Sequence, residues 1–210
     1  MAKVERQMRE REEMRNLILH TAAQLIAEKG MEKLSIRKIA ERIEYSPGII
    51  YHYFQGKEEI LDSYLQQKYM EMVAGLQAVK LKAEQELPPE ILLRQTLEQF
   101  IRKSLSIGVE YRNVMMNDTP AVLNHTSVLF RGAAGQRKAI AMLCECLSSF
   151  DLTETREEAI ELTAQVIWSA AFGLIMRLVV EKDLPEEQIE ALISCYLDSM
   201  VAIAVRGKEN

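Results

Sequence analysis

The sequence predicts an all-α protein, in which a small N-terminal three-helix domain with a helix-turn-helix precedes a larger C-terminal helical domain. Three observations predict it. Every long segment repeats its apolar residues at three- and four-residue intervals. No stretch alternates apolar and polar residues as a half-buried strand would. The first third of the chain is punctuated by residues that start and stop helices: Gly30, Ser35, Ser46-Pro47 and Gly56. The expected domains are residues 1–57, with the helix-turn-helix at about 35–54, and residues 58–210.

The first helix is predicted over residues 4–28, with Leu19, Ala22, Ala23 and Ile26 on one stripe and Gly30 as a left-handed C-cap. Ser35 is placed to N-cap a short helix whose Ile36, Ile39, Ala40 and Ile43 share a face. Glu44 and Tyr45 then form a tight turn before a second short helix, with Ser46 as N-cap and Pro47 at the favoured first position. A long amphipathic helix starts at Lys57 and stops before Pro88-Pro89. Further helices are predicted near 89–107, 109–116, 120–149, 154–181 and 185–205.

With 48% hydrophobic and 27% charged residues, the 210-residue chain fits an ordinary globular protein. The longest uncharged apolar stretch, near 162–176, is shorter than the roughly 20 residues of a membrane span. The charged N-terminus lacks the apolar run of a secretion signal, so a cytoplasmic location is expected. Cys144, Cys146 and Cys195 read as reduced core thiols, and no metal-ligand spacing occurs, so neither metal nor cofactor is expected. Nucleophile elbows, phosphate loops and metalloprotease motifs are missing, which argues against an enzyme. The net charge of −5 is divided unevenly. Residues 1–57 hold 11 Lys and Arg against 8 Asp and Glu, net +3; residues 58–210 hold 15 against 23, net −8.

A basic head with two short helices and a tight turn implies DNA recognition. Ser46, Pro47, Gly48, Ile49, Tyr51, His52 and Tyr53 are expected to face outward on the second helix. Hydroxyls and N-terminal amides reach phosphate oxygens, and the apolar parts of Pro47 and Ile49 suit a thymine methyl. Arg37, Lys38 and Lys57 add positive charge. The same residues also suit a helical hairpin without DNA function, core packing is an alternative for Tyr51, Tyr53 and Phe54, and Ile50 and Phe54 are expected to join Ile36, Ile39 and Ile43 in a miniature core. The charged run at residues 3–15, with Glu5, Glu10, Glu12 and Glu13 interleaved, reads as a solvated helix face, with an arm tracking a phosphate backbone as the alternative.

The segment RNLILHTAAQLIAEKGMEKLSIRKIAERIEYSPGIIYHYFQGKEEIL resembles the N-terminal signature of the TetR family of bacterial transcriptional regulators. The resemblance rests on Ala22-Ala23, Gly30, Ser35, Ile39-Ala40, Ser46, Tyr51-x-Tyr53-Phe54 and Lys57-Glu58. It places Ser35, Arg37, Ser46, Pro47, Gly48, Tyr51, His52, Tyr53 and Lys57 at or near DNA. Where the family usually has glycine in the turn, this chain has Glu44, at some steric cost.

The resemblance further implies a homodimer paired through the last two helices and a body enclosing an apolar effector. For the dimer the candidates are Ile160, Ala164, Ile167 and Ala171 on one stripe and Leu192, Tyr196 and Met200 on the other, although either stripe also suits an intrachain core. For the effector site they are Met70, Met115, Met116, Phe130, Met142, Trp168 and Phe172, with Arg102, His125 and Gln165 as polar contacts; ordinary core is the alternative for each. The implied function is a ligand-responsive repressor on a near-palindromic operator. The alternative is a helical small-molecule, lipid-binding or interaction protein without specific DNA binding.

Overall fold

The computed structural model describes residues 2–82, 87–150 and 157–206. These residues form helices α1 (Ala2–Lys29), α2 (Ile36–Arg42), α3 (Pro47–Tyr51), α4 (Lys57–Lys82), α5 (Pro89–Ser106), α6 (Gly108–Met115), α7 (Pro120–Thr126), α8 (Ala133–Gln136), α9 (Lys138–Ser148), α10 (Glu157–Val180) and α11 (Glu186–Arg206), with a 3-10 turn at Met31–Lys33. No strand occurs among the described residues. The expected helical starts at 154–156 and the end of the long helix at 83–85 lie outside them.

One helix expected over 120–149 is three in the structure. Gly132 adopts φ +81°, and side chains from α10 take up the backbone groups that a continuous helix would have paired. The Gln165 amide donates to the carbonyls of Val128 and Phe130, both at 2.9 Å. The Glu161 carboxylate accepts the N–H groups of Gly132 and Ala134 at 2.8 and 2.9 Å. Nothing local in the sequence from 120 to 149 announces partners supplied about thirty residues later.

The chain divides into two compact units, Met1–Tyr69 with Arg112–Thr126, and Met70–Tyr111 with Ser127–Asn210. The expected cut after residue 57 falls inside the first unit. Ile60, Leu61, Tyr64 and Leu65, on the first turns of α4, join Ile18, Ala22, Leu25, Ile26, Leu34, Ile39, Ala40, Ile50 and Phe54 in one core, and Val122 of α7 is fully buried with them. Full burial of such side chains contributes ~1.5–3 kcal/mol each. Arg42 adds a two-pronged pair to Glu28 at 3.0 and 2.8 Å, tying α2 to α1 and holding the Glu28 carboxyl below its ordinary range.

In the second unit α5 packs against α9, α10 and α11. Leu93, Ile101, Ile140, Leu147, Phe150, Ile167 and Ile175 are buried there. Arg102 pairs with Glu190 and Glu98, and Arg94 with Asp198 and Ser194, so the polar side of α11 is bound to α5. Cys146 is buried, Cys144 half-buried and Cys195 exposed, so Cys195 departs from the expected core thiol. Burial, with Glu161 nearby, pushes the Cys144 thiol up to about 11 and keeps it protonated at neutral pH.

Candidate nucleic-acid interface

The geometry of the head starts at two caps. Ser35 takes an extended backbone and its hydroxyl accepts the Lys38 N–H at 3.3 Å, as expected for an N-cap. Gly30 has the positive φ expected of it, +82°, but its ψ of 159° is not left-handed helical, so the expected C-cap conformation is corrected. Its N–H still reaches the Ile26 carbonyl at 2.8 Å. Ala40, 1% exposed, is part of the head core.

The turn closes by a full Schellman pattern despite lacking glycine. Tyr45 N–H donates to the Ala40 carbonyl at 2.9 Å and Glu44 N–H to the Glu41 carbonyl at 3.3 Å, with Glu44 at φ +59°. A left-handed conformation costs an ordinary residue ~1–2 kcal/mol, offset here by two satisfied carbonyls. The turn delivers the chain to Ser46, whose side chain makes no capping bond. Pro47 occupies the first turn of α3.

α3 is anchored from beneath by Ile50 and Phe54, at 0% and 1% exposure. Ser46, Pro47, Gly48, Tyr51 and His52 are exposed, and Ile49 is half-buried. A Cβ on Gly48 would meet only the Ser46 Oγ at 3.7 Å, so the fold itself has room for a larger residue there. Tyr53, expected outward, is partly buried against the head core; it follows Tyr51 by two positions and so cannot share its direction. Arg37 is exposed, while Lys38 and Ser35 are half-buried, the Lys38 amine donating to the Lys33 carbonyl at 2.8 Å. Lys57 opens α4 next to this surface in sequence and is half-buried.

Sequence reasoning missed Arg15. It was grouped with the solvated charges of residues 3–15, but its guanidinium lies 4.0 Å from the Phe54 ring centroid and donates to the Tyr53 carbonyl. No local signal separates it from Arg9 or Arg11, since Arg11 lies on the same helical face one turn earlier.

The expected effector residues are divided between the units, with Met115, Met116 and His125 in the first and the others in the second. His125 pairs with Asp62 at 2.7 Å within the first unit. Met116 and Met70 are exposed and Met115 is half-buried. Arg102 is exposed and committed to its glutamates, and Gln165 is buried but committed to the Val128 and Phe130 carbonyls. Trp168 and Phe172 stack in parallel, centroids 5.6 Å apart, and with Phe130 and Met142 are half-buried in the second unit. A feature not anticipated is Tyr111, 7% exposed, whose burial pushes its hydroxyl well above the ordinary tyrosine pKa.

Most of the expected pairing residues are covered within the chain itself. Ile160, Ala164, Ile167, Ala171 and Met200 are buried inside the second unit, and Tyr196 is half-buried with its hydroxyl donating to the Ile167 carbonyl at 2.9 Å. Leu192 is exposed. The exposed apolar residues of α10 lie on its opposite side, Leu162 at 58% and Val166 at 60% exposure, continuing through Gly173 to Val180. On α11 they include Leu192, Cys195 and Ile203. Both helices are long and apolar enough to cross a membrane, with 28% of each candidate window buried, contrary to the expectation drawn from uncharged run length. Glu161 and Arg177 interrupt the uncharged run without making the whole helix polar.

Among the described residues the chain is all-helical, and its first unit carries a tight helix-turn-helix of the kind that docks on DNA. Residues 18–64 match the family profile described as bacterial regulatory proteins, tetR family. The matched segment is the head alone, which is similar to the N-terminal domain of that family. A 72-residue stretch is 35% identical to YuxN of Bacillus subtilis (strain 168), described as an uncharacterized HTH-type transcriptional regulator. That match spans 34% of this chain and 25% of the relative, about a quarter of its length. The fold is similar to that of the fatty acid degradation regulator FadR from Bacillus halodurans, with TM-score 0.68, 18% identity, and 89% and 94% of the two chains covered. It is also similar to the TetR family regulator PfmR from Thermus thermophilus, with TM-score 0.58, 24% identity and coverage of 88% and 97%.

Proposed function

We propose that the protein is a ligand-responsive repressor that grips a near-palindromic operator as a homodimer and is released by a largely apolar small molecule. The observation that carries the DNA reading is the outward face of α3. Ser46, Pro47, Gly48, Tyr51 and His52 stand exposed on a helix locked from below by Ile50 and Phe54. This surface is small, hydroxyl-rich and uncrowded at Gly48, which suits close approach to a groove, with Arg37 and Lys57 supplying charge to phosphates. It is poor in the Arg, Asn and Gln that read bases directly, which favours a share of shape readout.

A second copy is the proposed occupant of the exposed apolar stripes on α10 and α11. Half-sites roughly 34–36 Å apart require two heads. Gly173 supports close helix approach: it lies on the exposed stripe, and a Cβ there would meet nothing within 4 Å from other elements among the described residues. A glycine inside a helix costs ~1 kcal/mol relative to alanine, and this fold supplies no internal reason for it. An apolar effector fits the half-buried Trp168, Phe172, Phe130 and Met142 of the second unit, and FadR, one of the structural neighbours, is named for fatty acid degradation.

The test is fluorescence-anisotropy binding to DNA flanking the protein's own gene against scrambled DNA, over a salt series. Specific DNA should bind tighter by about 10³ or more, and Lys57→Ala should reduce the slope of log affinity against log salt by about 0.9. Equal, salt-independent weakness toward both DNAs would favour the small-molecule or interaction protein instead.

A further inference from the structure

Arg15 is drawn into a junction of three elements within the first unit. Its guanidinium lies over the Phe54 ring, 4.0 Å from the centroid. One of its nitrogens donates to the carbonyl of Tyr53, just past the end of α3. The same nitrogen is 3.7 Å from a Glu59 carboxylate oxygen in the first turn of α4. The other Glu59 oxygen accepts the backbone N–H of Gln55 at 2.6 Å. The contacts therefore run from α1 through the guanidinium to both ends of the Tyr53–Lys57 corner.

That corner sets the relation between Tyr51, at the end of α3, and Lys57, at the start of α4. Neither Gln55 nor Gly56 belongs to a helix, and helix-terminal carbonyls are left without an internal partner. A planar cation that stacks on one residue, donates to its neighbour and attracts a carboxylate five residues from the first removes most of the corner's freedom.

We propose that Arg15 is a positioning residue for DNA docking, holding the end of α3 and the start of α4 at the spacing at which Tyr51 and Lys57 meet the duplex together. This rests on the DNA-binding reading above. Its charge acts inside the head and not on a phosphate, which separates it from Arg37 and Lys57.

The test measures operator affinity and salt slope for the full-length chain and for Arg15→Lys, Arg15→Met and Glu59→Gln, with thermal unfolding of each. Lysine keeps the charge but not the planar fork, so both Arg15 variants should bind about tenfold more weakly, ~1.4 kcal/mol, with an unchanged salt slope. Glu59→Gln removes a negative charge from the head, which simple attraction to DNA would reward; positioning predicts weaker binding. This surface substitution leaves the core intact, so it keeps the test open should an Arg15 variant unfold. Rescue by lysine, a slope lower by about 0.9 as for a phosphate contact, or tighter binding by Glu59→Gln would each overturn the proposal. A wild-type chain that does not distinguish operator from scrambled DNA would remove the DNA-binding reading itself, a separate failure.

Discussion

In the head, α2 has one apolar face: Ile36, Ile39, Ala40 and Ile43 turn inward, while Arg37, Glu41 and Arg42 are exposed. In α10 two apolar stripes run on opposite sides: Ala164, Ile167, Ala171 and Ile175 are buried, and Leu162 and Val166 are exposed. The difference is one of information. An apolar stripe locates a core when the opposite face is polar; when both faces are apolar, periodicity says that two surfaces need covering and not which surface each partner covers. The residues expected to bind a second copy of α10 are those that the chain's own helices already cover.

The largest effect that could break this contrast belongs to the exposed stripe. Val166→Glu should leave the second unit folded, since that side chain is 60% exposed, but place an unpaired charge in the proposed dimer interface. The expected cost is at least ~3 kcal/mol, more than a hundredfold in the dimer dissociation constant. Sedimentation velocity at micromolar concentration should show monomer, with helical content by circular dichroism unchanged. A variant that remains a dimer would place the interface elsewhere.

The buried stripe should behave in the reverse manner. Ile167, fully buried, loses ~2–5 kcal/mol of folding stability on truncation to alanine through lost transfer energy and the cavity left behind. Chemical denaturation should register it as a lower midpoint, with the dimer constant nearly unchanged. If Ile167→Ala instead separates the dimer without destabilising the chain, the two faces of α10 have been interchanged.

What was legible in the sequence follows the same division. The class of fold, the order of α1 to α3, the Ser35 cap, Pro47 at the start of α3 and the inward Ile50 and Phe54 were readable because short helices reveal their ends through local chemistry. The strained Glu44 was legible too, from its place where the turn requires a positive φ. Tyr53 was misplaced because a five-residue helix ends before its periodicity can be checked. Arg15 and the break between α7 and α9 were illegible for one shared reason: their partners lie far along the chain. Arg15 is 38 residues from the carbonyl it holds, and Glu161 is 27 and 29 residues from the N–H groups it holds.

Glu161 offers the smallest and most specific check, because its role is set by charge as well as shape. Hydrogen bonds from the backbone at Ala134 and Gly132 hold its carboxyl below the ordinary glutamate value. A group with a depressed folded pKa contributes stability that is fully present above the unfolded value, about 4.3, and is lost as the pH falls through the folded value. Glu161→Gln removes the carboxylate and turns an amide donor toward two backbone donors. Its thermal midpoint should therefore lie below wild type at pH 7, and the gap should close as the pH falls from about 4.3 toward 3. Glu28 and Glu190, also depressed by their arginine partners, lose stability in acid in both proteins, so the difference between the two curves isolates Glu161. A gap that stays constant down to acid would mean that the turn at Gly132 is held by packing alone, and that the charge on α10 is not what ends the helical run after Thr126.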